Sequence, residues 1–171
     1  MFSKKVGKHI RQLLFTLTAV FAFFVPCRLG AENISTIGPT HIYQGSYTYS
    51  SNILYTWDGE HLYNGRYAYS SEIILTWDGK YIYNGAYPYS SNIMFTWDGK
   101  HLYKGAYPYS SNILYTWDGK HIYRGSYTYS SNILLTYDGK HLYNGSYTYS
   151  SNILMTFDGR VPVPILILLT L

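Results

Sequence analysis

The sequence predicts an all-β fold of tandem 20-residue β-hairpin repeats, arranged as an antiparallel meander of some twelve short strands whose sheet rolls up or closes. Three observations predict it. Six copies of one unit run in unbroken register over residues 41–160; each unit holds two aromatic and β-branched runs with no 3.6-residue period; and an Asp-Gly pair separates each unit from the next. A unit this small cannot cover its own apolar face, so its neighbours must. A β-solenoid with one coil per repeat is the alternative. It would stack Asp58, Asp78, Asp98, Asp118, Asp138 and Asp158 about 5 Å apart as a row of like charges, whereas a meander spaces them about twice as far apart.

The first run of the first unit covers residues 41–49 and the second covers 53–57. Asp58-Gly59 joins one unit to the next as a tight turn, because glycine tolerates the positive φ that such turns require. Ser50-Ser51-Asn52 is a weaker turn signal inside the unit. Comparing the copies assigns the faces: Tyr43, Gly45, Tyr47 and Tyr49 recur in every unit, while positions 44 and 46 drift among polar and small residues. Since side chains alternate across a strand, the constant rings are expected on the packed face, together with Ile53, Tyr55 and Trp57. A three-residue loop at Ser50-Ser51-Asn52 would set Tyr49 opposite Ile53, Tyr47 opposite Tyr55 and Gly45 opposite Trp57. Pro88 and Pro108 replace Thr48 in two copies, so the N–H at that position must be dispensable. Strands of about six residues follow, short of the 9–11 or so that a transmembrane barrel uses.

The ends follow other rules. Residues 1–31 read as a secretory signal peptide: Lys4, Lys5, Lys8 and Arg11 precede an uncharged stretch at 13–25, with Leu29-Gly30-Ala31 as the cleavage site. Lipidation at Cys27 is the alternative, weakened by Pro26 where a small residue is expected. Residues 32–40 form a short linker, 41–160 the six repeats, and 161–171 a hydrophobic terminal strand or tail that covers the last hairpin. Five of the thirteen basic residues leave with the leader, so the mature chain carries eight basic against nine acidic residues, a formal charge of −1. The basic pI belongs to the leader, and nucleic-acid binding loses its support. The expected location is outside the cytoplasm: periplasmic, cell-surface or extracellular. No transmembrane span is expected in the mature chain.

Most polar residues have structural explanations. Six equivalent aspartates make a poor acid/base site, since such catalysis needs groups in different environments; they are expected to cap their own turns. His41, His61, His101, His121 and His141, interrupted by Tyr81, lie too far apart in a meander to share a metal, and the exchange with tyrosine suggests aromatic packing. Ser50-Ser51 lacks a partnered base. Neither an enzyme nor a cofactor is therefore expected. The rings are different. Twenty-two tyrosines and four tryptophans offer flat apolar faces with polar rims, suited to sugar stacking. The ligand-binding candidates are Tyr43, Tyr47, Tyr49, Trp57, Tyr63, Tyr67, Tyr69, Trp77, Tyr87, Trp97, Tyr107 and Trp117.

At D-G-K-H-I-Y, with Lys120, His121, Ile122 and Tyr123, the unit resembles the aromatic cell-wall-binding repeats of the choline-binding type, which show Lys-Trp-Tyr-Tyr there. That family also has a 20-residue period and one hairpin per repeat. Histidine stands here in place of tryptophan and the second glycine of that pattern is missing, so the likeness covers about six residues per unit. Membrane-occupation-type repeats are similar in their Tyr-x-Gly rhythm. The expected function is an exported, non-enzymatic repeat protein acting as a cell-surface or envelope structural module. The alternative is a glycan- or cell-wall-binding module using a repeated Tyr/Trp face. Possible partners are a glycan or envelope component, or a second copy of the chain paired through edge strands.

Overall fold

A computed structural model describes residues 38–170. The leader and most of the linker lie outside the described residues. The twelve strands are β1 (Thr40–Gln44), β2 (Ile53–Trp57), β3 (His61–Asn64), β4 (Ile73–Trp77), β5 (Tyr81–Asn84), β6 (Ile93–Trp97), β7 (His101–Lys104), β8 (Ile113–Trp117), β9 (His121–Arg124), β10 (Ile133–Tyr137), β11 (His141–Asn144) and β12 (Ile153–Phe157). Each pairs antiparallel with its sequence neighbours, and β1 pairs with β12, so the meander closes into a barrel. Closure rules out the solenoid. It also leaves none of these strands with a free edge.

Register is set between units by the Asp-Gly turn. Trp57 faces Leu62, Thr56 faces Tyr63 and Tyr55 faces Asn64, and the seam repeats the pattern with Phe157 facing Ile42, Thr156 facing Tyr43 and Met155 facing Gln44. Within a unit, Thr40 faces Trp57 and Ile42 faces Tyr55, and a bulge then brings Tyr43 opposite Ile53. The register expected inside the unit is thus corrected by several residues. The reason is Gly45, whose φ of +70° ends the strand at Gln44, so Tyr47 and Tyr49 lie in a loop rather than on a strand. The Ser50-Ser51-Asn52 signal is a 3-10 turn closing that loop, with the Asn52 N–H donating to the Tyr49 carbonyl. Position 48 and its copies fall in the irregular part of the loop, where Pro88 and Pro108 cost no strand hydrogen bond.

The face assignment is corrected too. Ile42, Leu62, Ile82, Leu102, Ile122 and Leu142 form a ring of buried side chains in the lumen, packed with the residues at positions 55 and 57 and their copies. Tyr43 is on the opposite face, alongside His41 and Thr56, and is buried there as well. Thr56 and its copies are fully or almost fully buried rather than wet, each donating its hydroxyl to a glycine carbonyl of the next unit, as in Thr56 to Gly65 at 2.8 Å. The seam repeats this with Thr156 and Gly45 at 2.7 Å.

Residues beyond β12 are helical rather than a terminal strand. The helix α1 (Val163–Leu168) starts behind Pro162, with Pro164 in its first turn where the missing N–H costs nothing. Ile165, Leu166 and Ile167 are fully buried in the same cluster as the lumen ring, so α1 plugs the barrel. No strand could fill that role, because the sheet is already closed and its lumen offers no backbone partners. Gly159 lacks the positive φ of its counterparts, since the chain there leaves the sheet for α1, and it lies so close to Thr40 that a Cβ would collide with that side chain.

Replacing Ile165 by alanine is expected to cost about 2–5 kcal/mol, from lost apolar burial and the cavity left behind. Denaturant titration would read this as a lower midpoint at unchanged slope; an unshifted midpoint would show that α1 does not carry the core.

Candidate functional site

The antiparallel barrel gives its two ends different chemistry. Every within-unit loop, such as 45–52, emerges at one end, and every Asp-Gly turn at the other.

At the turn end the carboxylates are committed to structure. Asp98 Oδ1 accepts from the Lys100 N–H at 2.8 Å and the His101 N–H at 2.6 Å, while Oδ2 accepts from the Tyr103 hydroxyl at 2.7 Å. The His101 ring nitrogen lies 3.0 Å from the same oxygen. The other units repeat this, and at the seam Asp158 takes the His41 N–H at 2.6 Å and the Tyr43 hydroxyl at 2.9 Å. The rings of His41 and Tyr43 meet edge-on with centroids 6.2 Å apart, and Tyr81 and Tyr83 do the same, which explains why tyrosine can replace histidine there.

These contacts shift both partners. Burial opposes ionisation of Asp138, but hydrogen bonds from the His141 and Lys140 N–H groups, the Tyr143 hydroxyl and the His141 ring outweigh it and hold the carboxyl down to about 2. Asp98 and Asp118 are lowered by the same balance. The hydroxyl of Tyr103 is pushed up to about 12, first by its bond to Asp98 and then by burial. An ionised carboxylate holding a protonated phenol is a latch between the turn and the strand that follows.

The loop end carries the exposed rings. Tyr47 and Tyr49 are both 63% exposed and stack on each other, with centroids 5.5 Å apart and planes 15° apart. The stacking recurs at Tyr87 and Tyr89, Tyr107 and Tyr109, Tyr127 and Tyr129, and Tyr147 and Tyr149, and Tyr67 and Tyr69 meet at the same distance with planes tilted by 34°, making a crown of twelve exposed rings. In most units the loop is braced by the asparagine of its 3-10 turn, as where Asn92 Nδ2 donates to the Tyr87 carbonyl at 3.1 Å. Glu72 takes that place in one unit and accepts from Asn64. A stacked pair covers one face of each ring and leaves the outer faces to solvent.

The twelve candidates therefore separate into three groups. Tyr43 and Tyr63 are buried, their hydroxyls held by Asp158 and Asp58. Trp57, Trp77, Trp97 and Trp117 point into the lumen at the turn end, with Trp57 buried and the others half-buried against the core. Tyr47, Tyr49, Tyr67, Tyr69, Tyr87 and Tyr107 belong to the crown. The mouth inside the crown was missed from sequence. Gln44, Asn64, Asn84, Lys104, Arg124 and Asn144 end the first strand of each unit on the lumen side, exposed at the rim. Their drift from copy to copy was the available signal, and it reads there as mere wetness.

Stability is expected to depend on pH on both sides of neutrality. A carboxyl whose folded pKa is lowered gives stability that is present above its unfolded value, near 4, and is lost as pH falls toward the folded value of about 2. A phenol raised from 10.0 to about 12 gives stability that is present below pH 10 and is lost as pH rises toward 12. A series of thermal melts across pH would trace both limbs. Tyr103→Phe should cost about 1.5–3 kcal/mol near neutral pH and shrink the alkaline limb.

Residues 42–166 match a family model described as 6-fold beta flower protein. No curated protein and no solved structure matches the chain.

Proposed function

The chain belongs to the 6-fold beta flower protein family, a family of repeats, and from that premise we propose that it is an exported, non-enzymatic interaction module that holds glycan of the cell envelope through its tyrosine crown. The observation that carries this reading is the crown itself: six tyrosine pairs, five stacked and one tilted, all exposed at one end, which the fold does not need for its own core. Exposed tyrosines present an apolar face and a hydroxyl together, matching the apolar faces and hydroxyl edges of sugar rings. Six equivalent platforms suit a polymer of repeating units, where weak contacts add through effective concentration. Export is supported by the basic and then uncharged run at residues 4–25. Absence of catalysis is supported by the near-equivalence of the six units, which gives each Asp and His the same latch role.

Changing Tyr47, Tyr49, Tyr87 and Tyr89 together to alanine is expected to lower the apparent affinity for an insoluble envelope polysaccharide by about tenfold or more, through lost avidity. The melting transition should move little, because these are exposed side chains away from the core. A pull-down in which wild type binds no polysaccharide would instead support a purely structural surface module.

A further inference from the structure

We propose that the crown selects acidic polysaccharide over neutral, with a uronate-type carboxylate seated at Arg124 and Lys104 beside it. This rests on the glycan-binding reading and adds its specificity.

The fold sorts charge between its ends. At the loop end the charged side chains of the described residues are Arg66, Lys104, Arg124 and Glu72, a net +2. At the turn end the six aspartates and Glu60 face four lysines and Arg160, a net −2. The ion pairs of the described residues also lie at the turn end, joining histidines to aspartates and to Glu60. A polyanion approaching the barrel is therefore drawn to the crown and repelled from the opposite end.

One sector of the mouth holds a cavity. A single short helix fills a six-fold lumen unevenly. A cavity of about 240 Å³ remains, whose polar lining is Tyr115, Arg124, Asn144 and Thr170 above a floor that includes Ile122 and Leu135. Arg124 and Asn144 are exposed at its rim, so the cavity opens toward the crown. This volume takes a carboxylate and part of one sugar ring, not a chain, so the polymer would lie across the mouth and insert one substituent. The planar guanidinium of Arg124 matches a carboxylate with two parallel hydrogen bonds, and the Asn144 amide can add a donor. Lys104 ends a strand two positions around the barrel, about 10 Å away by strand spacing, and lies within electrostatic reach of the same substituent. The Tyr127 and Tyr129 pair, in the unit of Arg124, supplies the flanking stacking surface.

Polygalacturonate and its fully methyl-esterified form share a backbone and differ in whether each carboxyl is ionised or capped by a methyl group, which makes them the probes of choice, with the double variant isolating the charge. Affinity of the full chain for the acid form is expected to exceed that for the ester by about tenfold or more, the scale of a charge-assisted hydrogen bond. The excess should shrink as salt rises from about 50 to about 500 mM. The double variant R124Q/K104Q should bring the acid form down to the level of the ester without changing ester binding or the melting transition. Should R124Q fail to fold, K104Q with Arg124→Lys, which keeps the charge but loses the planar fork, should still lose several-fold on the acid form alone. Equal binding of both forms by wild type would overturn the proposal and leave glycan binding standing, as would selectivity that survives the double variant. Binding of neither form, nor of a neutral β-glucan, would overturn both readings. Tighter binding of single-stranded DNA than of polygalacturonate would also overturn the acidic-glycan assignment.

Discussion

One carboxylate per unit holds the barrel together. With one oxygen the aspartate of each Asp-Gly pair ties down the amides of its own turn, and with the other it takes the hydroxyl of a tyrosine in the strand that follows. The tyrosine is thereby pinned on the outer face, in register with a buried threonine, Thr56 opposite Tyr63. That threonine in turn donates to the glycine carbonyl two residues beyond the tyrosine. Turn, outer face and loop start are thus one hydrogen-bonded system, in which no member can move without exposing a buried polar group. The contact that links units also closes the ring, because Asp158 finds His41 and Tyr43 in the places that Asp58 finds His61 and Tyr63. A closed sheet needs no capping strand, which frees residues 161–170 to become a plug.

Much of this is legible in the sequence, and what is not has definite causes. The period, the hairpins and the meander follow from the fixed spacing and from Asp-Gly, a turn whose chemistry is local and hence readable, whereas closure, one of two forms the sequence leaves open, is settled by the pairing of β1 with β12. The role of Asp58 as a cap is readable for the same reason. The faces are not, because the argument from constancy takes an invariant ring to be a packed ring. Tyr43 is invariant because Asp158 needs its hydroxyl, Tyr47 is invariant yet exposed, and Thr56 looks polar yet is buried. Gly45 is the residue that misleads most: read as a strand glycine beneath a tryptophan, it is a chain terminator at positive φ, and one misread glycine displaces the whole within-unit register. The terminal run V-P-V-P-I-L-I-L-L has strand-like composition, and only the vacancy inside a closed barrel makes it a helix. That information is tertiary and is absent from the segment itself.

The candidate site divides along the same line. Aromatic abundance points to tyrosine as the binding chemistry, and spacing alone places the crown rings at regular intervals. Telling the crown from Tyr43 and from the lumen tryptophans requires knowing where the strand stops. The mouth residues show the converse: variation from Gln44 to Arg124 marks the positions free of the latch, and those are the positions at which near-identical units can acquire different chemistry.

That freedom bears on how a symmetric repeat acquires specificity at all. The aspartate, the tyrosine that follows it and the threonine opposite serve all six units alike, since a change there breaks either a turn or the seam. Asymmetry enters at positions 44 and 46 of each unit, at the lumen positions 55 and 57, in the loops, and through α1, a single helix in a six-fold lumen that leaves a cavity beside it. The sector that holds the cavity beside α1 also carries Arg124. Platforms of equal shape around the rim supply general adhesion, and one charged notch among them supplies discrimination, so affinity and selectivity rest on residues that can vary independently.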